Sequence, residues 1–115
     1  MPYMLLIVEP QGQRRLRSEE EGRAVYERML AYTADLKARG VLLESNSLRA
    51  ESVRLDTHAG RRRVTDGPFT ESKELIGGFF LLDCATREQA LGFAAQCPAA
   101  QWATIEVREV GPCYD

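Results

Sequence analysis

An α+β fold, with two helices on one face of an antiparallel sheet, is what the order and patterning of this chain predict. Tyr3–Val8 (YMLLIV) and Gly77–Asp83 (GGFFLLD) are apolar at nearly every position, as central strands covered on both faces should be. Ser52–Asp56 (SVRLD) and Ala103–Arg108 (ATIEVR) alternate, as edge strands with one face in water should. Two segments with helix-start chemistry lie between the strands. The order β-α-β-β-β-α-β is a ferredoxin-like βαββαβ plan with an extra hairpin strand.

Each element has a local reason. The first strand runs up to Glu9-Pro10, and Pro10, Gly12 and the basic Arg14, Arg15 and Arg17 make a loop. Ser18-Glu19-Glu20-Glu21 has capping-box spacing and puts carboxylates at the positive end of a helix dipole. Val25, Met29, Tyr32 and Leu36 form one apolar stripe, and Gly40 ends the helix. Val41–Leu48 passes from apolar to polar and is open between strand and connection. Thr57-His58-Ala59-Gly60 turns the chain, and Arg61–Asp66 (RRRVTD) returns as the second arm of a hairpin. Thr86-Arg87-Glu88-Gln89 repeats the capping-box spacing before a helix with Ala90, Ala94 and Cys97 on one face, which Pro98 ends.

Two helices cover only one face of such a sheet. The other, carrying either Phe79 and Leu81 or Phe80 and Leu82, needs a cover, and a second copy is the economical one. A homodimer packed sheet on sheet with its helices outside, a dimeric α+β barrel, is therefore expected.

Composition narrows the function classes. A chain of 115 residues is expected to form a single domain over residues 1–115. A formal charge of −2 gives no reason to expect nucleic acid or a membrane surface as partner. Arg61-Arg62-Arg63 reads as a solvated strand. No apolar run is long enough to span a bilayer and no leader with a cleavage site is visible, so a cytoplasmic protein is expected. Cys84, Cys97 and Cys113 lack metal-site or CxxC spacing and read as buried or incidental thiols.

The stretch Thr65–Phe69 (TDGPF) is the unusual one. Gly67 lacks a Cβ and Pro68 biases it towards extended backbone, so the chain bends after Asp66 while staying stretched. Strand parity puts Asp66 on the face of Val64, away from Arg63 and Thr65. Two compatible roles are open to it: a turn cap that accepts the amide of Phe69 or Thr70, and a cleft carboxylate that takes or gives a proton. Glu71 and Lys73 lie two apart and can pair, or stand solvated. Gly77-Gly78 reads as a bulge or a close approach, making room for a ligand or for a helix.

VTDGPFTESKELIGGFFLLD resembles the signature of the DGPF branch of the YCII-related family. YMLLI, SVRL, the Gln-Ala-Leu helix, CPAA and IEVREV extend the resemblance over nearly the whole chain. The resemblance implies a dimeric α+β barrel with a site in the barrel cleft, and it implies little about activity. The wider superfamily includes isomerases and dehydrohalogenase-like enzymes of small cyclic substrates, and family members often occur beside extracytoplasmic-function sigma factors. Carried over, the pattern points to Asp66, Gly67, Pro68, Phe69, Glu71, Lys73 and Glu74, with Arg54, Glu106 and Arg108 at matching strand positions. Arg54, Glu106 and Arg108 lie on the polar parity of their strands and are expected to face the dimer cleft. The chain departs at Trp102-Ala103, where relatives carry glycines, and at Glu109, where they carry proline. A bulky Trp102 is expected to narrow the cleft or alter the dimer edge. The histidine–aspartate pair of the other YCII branch is not carried over, because His58 falls in a turn.

Two functions follow. One is a lyase- or isomerase-type enzyme in which Asp66 moves a proton and Arg54 or Arg108 holds a small anionic or cyclic organic ligand. The other is a non-catalytic ligand-sensing dimer tied to sigma-factor regulation. No nucleotide-binding loop, metal-ligand cluster or nucleophile triad is visible, so no metal or cofactor is expected.

Overall fold

The computed structural model describes residues 2–67, 69 and 71–114. In chain order come β1 (Pro2–Pro10), α1 (Glu19–Ala38), β2 (Leu42–Ser47), β3 (Val53–His58), β4 (Arg61–Asp66), β5 (Glu74–Asp83), α2 (Arg87–Gln96) and β6 (Thr104–Glu109). Short 3-10 turns occupy Gln13–Leu16 and Pro98–Gln101. Four strands form one antiparallel sheet in the order β2-β5-β1-β6, while β3 and β4 pair only with each other. This is the ferredoxin-like βαββαβ arrangement with a hairpin set into the connection between β2 and β5.

The edge beside β5 is therefore Leu42–Ser47 rather than Ser52–Asp56. The alternation of SVRLD reports a ribbon with two unlike faces, which a free-standing hairpin also is. LLESNS is mostly exposed and has too few apolar residues to carry a period.

Strand parity builds the core. Tyr3, Leu5, Ile7 and Glu9 of β1 turn towards the helices, and Phe80 and Leu82 of β5 join them. Leu36 of α1, Ala90 and Ala94 of α2, Cys84 and Cys97 fill the layer between. Leu5, Leu36 and Leu82 are wholly buried, each contributing roughly 1.5–3 kcal/mol of transfer free energy. Tyr32 meets the Phe80 ring edge-on at 5.2 Å, and its hydroxyl donates to the Phe93 carbonyl at 2.6 Å, joining the two helices.

The caps form as their residues require. Ser18 Oγ accepts from the Glu21 amide and the Glu21 carboxylate accepts from the Ser18 amide. At α2, Thr86 Oγ1 accepts from the Gln89 amide, but the Gln89 side chain reaches one residue further back, to the Ala85 amide. Gly40 takes φ 75 after α1, a left-handed conformation glycine adopts without strain.

The opposite face of the sheet is left open. Met4, Leu6 and Val8 of β1 and Phe79 and Leu81 of β5 point away from the helices and are only half-buried. Thr104, Glu106 and Arg108 of β6 pair with Val8, Leu6 and Met4, which places them on the same open side.

The β3–β4 hairpin stands apart, with every strand residue exposed. Ala59 and Gly60 both have positive φ, 51 and 76, so the turn is the two-residue type that matches strand twist. Val53, Leu55, Val64 and Asp66 share one face. Arg54, Asp56, Arg63 and Thr65 share the other. The radius of gyration is 16.1 Å, above the roughly 13 Å of a compact domain of about this length, as a projecting arm requires.

Candidate functional site

A cleft of about 820 Å³ opens where the hairpin leaves the sheet. Its walls are the end of β1, the loop Gln11–Arg15, the connection Leu48–Ser52, the start of β5, and Arg54, Gly67 and Phe69 at the hairpin base. Phe69 is buried at 9% exposure, and the Arg54 guanidinium lies over its ring at 3.7 Å. Arg54 also donates from Nη1 to Glu71 Oε1 at 3.1 Å and from Nη2 to Ser72 Oγ at 2.9 Å. Both charges stand largely in water, so the ion pair contributes at most about 1 kcal/mol. What the three contacts supply is position: Arg54 clasps the loop to β3.

Gly67 owes its place to crowding. A Cβ there would lie 3.1 Å from the Ser52 carbonyl and 3.3 Å from the Phe69 ring. The Gly67 amide donates to that same carbonyl at 2.9 Å, closing the base of the hairpin.

Behind the cleft lies an ion pair with a buried carboxylate, which sequence reasoning missed. Glu9 is 6% exposed and receives two hydrogen bonds from Arg14, Nε at 3.0 Å and Nη2 at 2.8 Å. Arg14 also donates to the carbonyls of Leu48 at 2.7 Å and Gly77 at 3.2 Å. One guanidinium thus ties the ends of β1 and β2 to the bulge of β5, where the register with β1 shifts between Ile7 and Val8. Gly77 leaves the space this pair fills, and Gly78 lets the Asn46 carbonyl of β2 approach, so the doublet marks a close approach of backbone and side chains. Read against Gly77-Gly78, an acid at the end of β1 and an arginine five residues on were the available signal, but only the strand register brings the three together.

The residues expected from the sequence fall into three places. Arg54, Gly67, Phe69 and Glu74 line the cleft, and Glu71 is held to Arg54. Lys73 is exposed beside it and its carbonyl accepts the Gln11 amide at 2.9 Å. Glu106 and Arg108 lie on the open face of the main sheet, which Arg54 does not share because its strand belongs to the separate hairpin. Asp66 sits on the apolar side of the hairpin with Val53 and Val64, as parity requires. It is exposed, and among the described residues its carboxylate accepts no hydrogen bond; the expected bond from the Phe69 amide is not formed. Pro68 and Thr70, the other expected amide donor, lie outside the described residues.

Trp102 does not reach this cleft. It packs on the helix side of the sheet, with the guanidinium groups of Arg17 and Arg28 at 5.7 and 5.2 Å from its ring, and its carbonyl accepts Gln13 Nε2 at 2.8 Å. His58 closes β3 at the exposed hairpin tip, opposite Arg61. Asp56, on the polar face, is held below the usual carboxylate range by a two-point hydrogen bond from Arg63 at 2.9 and 2.7 Å. Burial pushes the Cys84 and Cys97 thiols and the Tyr32 hydroxyl up. Among the described residues no cluster of three His, Cys, Asp or Glu side chains is placed to hold a metal, and no helix is long and apolar enough to cross a membrane.

Known proteins bear on this geometry. The family model for the YCII-related domain matches residues 1–113. An uncharacterized protein of Rhizobium meliloti (strain 1021), R00369, is 48% identical over 52 residues, which is 44% of this chain and 42% of that protein's length. Among solved structures, 5-chloro-2-hydroxyhydroquinone dehydrochlorinase (TftG) from Burkholderia phenoliruptrix AC1100, in complex with 2,5-dihydroxybenzoquinone, is similar with a TM-score of 0.56. That likeness covers 96% of this chain and 94% of the other at 18% identity, and is therefore a likeness of fold. The chain belongs to the YCII-related family.

Proposed function

We propose that the protein binds a small cyclic organic anion inside a homodimer, formed by packing two open sheet faces together, and that Asp66 exchanges a proton with it. The state of Asp66 carries this reading. Strand parity sets this carboxylate on the apolar face of the hairpin beside Val53 and Val64, and among the described residues no donor meets it. Its oxygens are available to a ligand.

The open face suits such a molecule. Met4, Leu6, Val8, Phe79 and Leu81 offer an apolar floor for a ring, and Arg108 stands beside it with a guanidinium suited to an enolate or phenolate oxygen. The dehydrochlorinase of similar fold was solved with 2,5-dihydroxybenzoquinone, a ring with acidic hydroxyls, which supports that ligand class here. A proton taken by Asp66 leaves negative charge on the ring. Returning it elsewhere on the ring completes an isomerisation, and departure of a leaving anion completes an elimination.

The test begins with a thermal-shift screen of hydroxyquinones, phenols and small carboxylic acids, in which a bound ligand raises the melting temperature. Asp66→Asn keeps an acceptor oxygen and loses the basic carboxylate. It should melt near wild type while turnover of the compound found falls on the order of 100-fold. Unchanged turnover and affinity in the folded variant would remove Asp66 from the chemistry.

A further inference from the structure

A second cavity, about 760 Å³, lies on the helix side of the sheet, between the first half of α1 and the edge strand β2. It shares only the Glu9–Arg14 pair with the cleft at the hairpin base. Its existence follows from the sequence of α1. The apolar stripe buries Tyr32 and Leu36, but Val25, earlier in the stripe, stays half-buried along the cavity wall. Gly22 adds no side chain to that wall, and a Cβ built there meets nothing within 4 Å. Across the gap β2 offers the short polar Ser45, Asn46 and Ser47.

The floor is apolar, formed by Ile7, Met29 and Phe80, and two large side chains of the α1 wall, Tyr26 and Leu30, are left 56% and 48% exposed. The charges at the rim do not cancel. Arg14 is paired with Glu9 and Arg23 with Glu19. Arg17, which also lines the cavity, makes no ion pair among the described residues; it donates to Gln13 Oε1 at 3.2 Å and rests over Trp102. An apolar trough ending in a guanidinium that has no ion pair of its own, only the longer-range field of Glu21, is complementary to a molecule with one anionic head and an apolar body.

We infer that this groove is a second ligand site, for a carboxylate borne on an apolar chain or ring, with its head on Arg17 and its body along Ile7, Met29 and Phe80. The site lies on the opposite side of the sheet from the open face and is independent of Asp66.

The experiment uses straight-chain carboxylates from hexanoate to decanoate as probes, followed by calorimetry and by the emission of Trp102. That residue is the only tryptophan of the chain and lines the groove, so occupancy perturbs it directly. Binding should saturate and tighten by roughly threefold to fourfold per methylene. Decanol, lacking the charge, should bind about tenfold more weakly, and Arg17→Gln should weaken decanoate by a similar factor. Gly22→Leu should fill the groove without disturbing the fold and abolish binding, while Asp66→Asn leaves it unchanged. Absence of saturable decanoate binding to the wild type overturns the proposal, as does binding that persists undiminished in both folded variants, Gly22→Leu and Arg17→Gln.

Discussion

Gly77 occupies a position where a Cβ would collide with the Glu9 carboxylate and come within 2.7 Å of Arg14 Nη2. A glycine on one strand is thus the condition for an ion pair between a buried carboxylate of the neighbouring strand and the following loop. Gly77→Ala should break that pair or displace β5, at a cost of about 1–3 kcal/mol, set by the buried Glu9 carboxylate losing its donors. The same substitution at Gly22 should stabilise by up to about 1 kcal/mol, since it gains helix propensity and meets no neighbour. Urea unfolding of the two variants checks the opposite signs. Equal effects would mean the pair is not held as described.

Phe79 and Phe80 are adjacent yet belong to different faces. Phe80→Ala should cost roughly 3–5 kcal/mol, because a 5% exposed ring leaves a cavity beneath α1. Phe79→Glu should instead leave secondary structure intact and dissociate the proposed dimer to a 12.9 kDa species in sedimentation equilibrium. If the wild type already sediments as that monomer at micromolar concentration, the sheet-to-sheet assembly is wrong.

Ala59 holds φ 51 in the hairpin turn, a left-handed conformation that costs a residue with a Cβ roughly 1–2 kcal/mol. Ala59→Asn creates the Asn-Gly pair this turn favours. Amide hydrogen exchange in β3 and β4 should slow by about threefold to tenfold. The core strands should barely respond, because the hairpin pairs only with itself.

Alkaline pH should weaken the fold in a defined window. Burial keeps Cys97 and Cys84 protonated in the folded chain at pH values where an unfolded thiol, ordinarily near 9.0, has ionised. Their contribution is present in full below that value and is lost as pH rises through the folded one. Tyr32, raised from 10.0, carries the decline further. Urea midpoints from pH 8 to 10.5 should fall, and Cys97→Ala should flatten the slope. A flat wild-type profile would contradict the burial of these groups.

Periodicity made the sheet and helices legible where burial is two-sided or strictly alternating. YMLLIV and FFLL announce central strands because they are apolar at both parities and are flanked by a strand on each side, and Ser18 and Thr86 announce helix starts because an orphan amide needs an acceptor. The edge strand Leu42–Ser47 was not legible, since its outer half answers only to water. Parity correctly put Asp66 with Val64, but could not say that the hairpin would stand apart from Glu106 and Arg108. The side on which Trp102 rests was not legible for a related reason: a residue just before a strand has no parity to read, and it packs against the core beneath two arginines from a distant segment.

The hairpin is an appendix to a circuit already closed without it. Leu48 is fastened to Gly77 by a backbone hydrogen bond of 2.8 Å, and the β1–β5 pairing begins again at Glu74, so the chain enters and leaves the sheet edge at neighbouring points. Segments attached in this way are free to change length and sequence while the sheet stays put. The hairpin is accordingly carried by the sheet without being part of it, pinned at its base by the Gly67 amide on the Ser52 carbonyl and by Arg54 on Glu71 and Ser72.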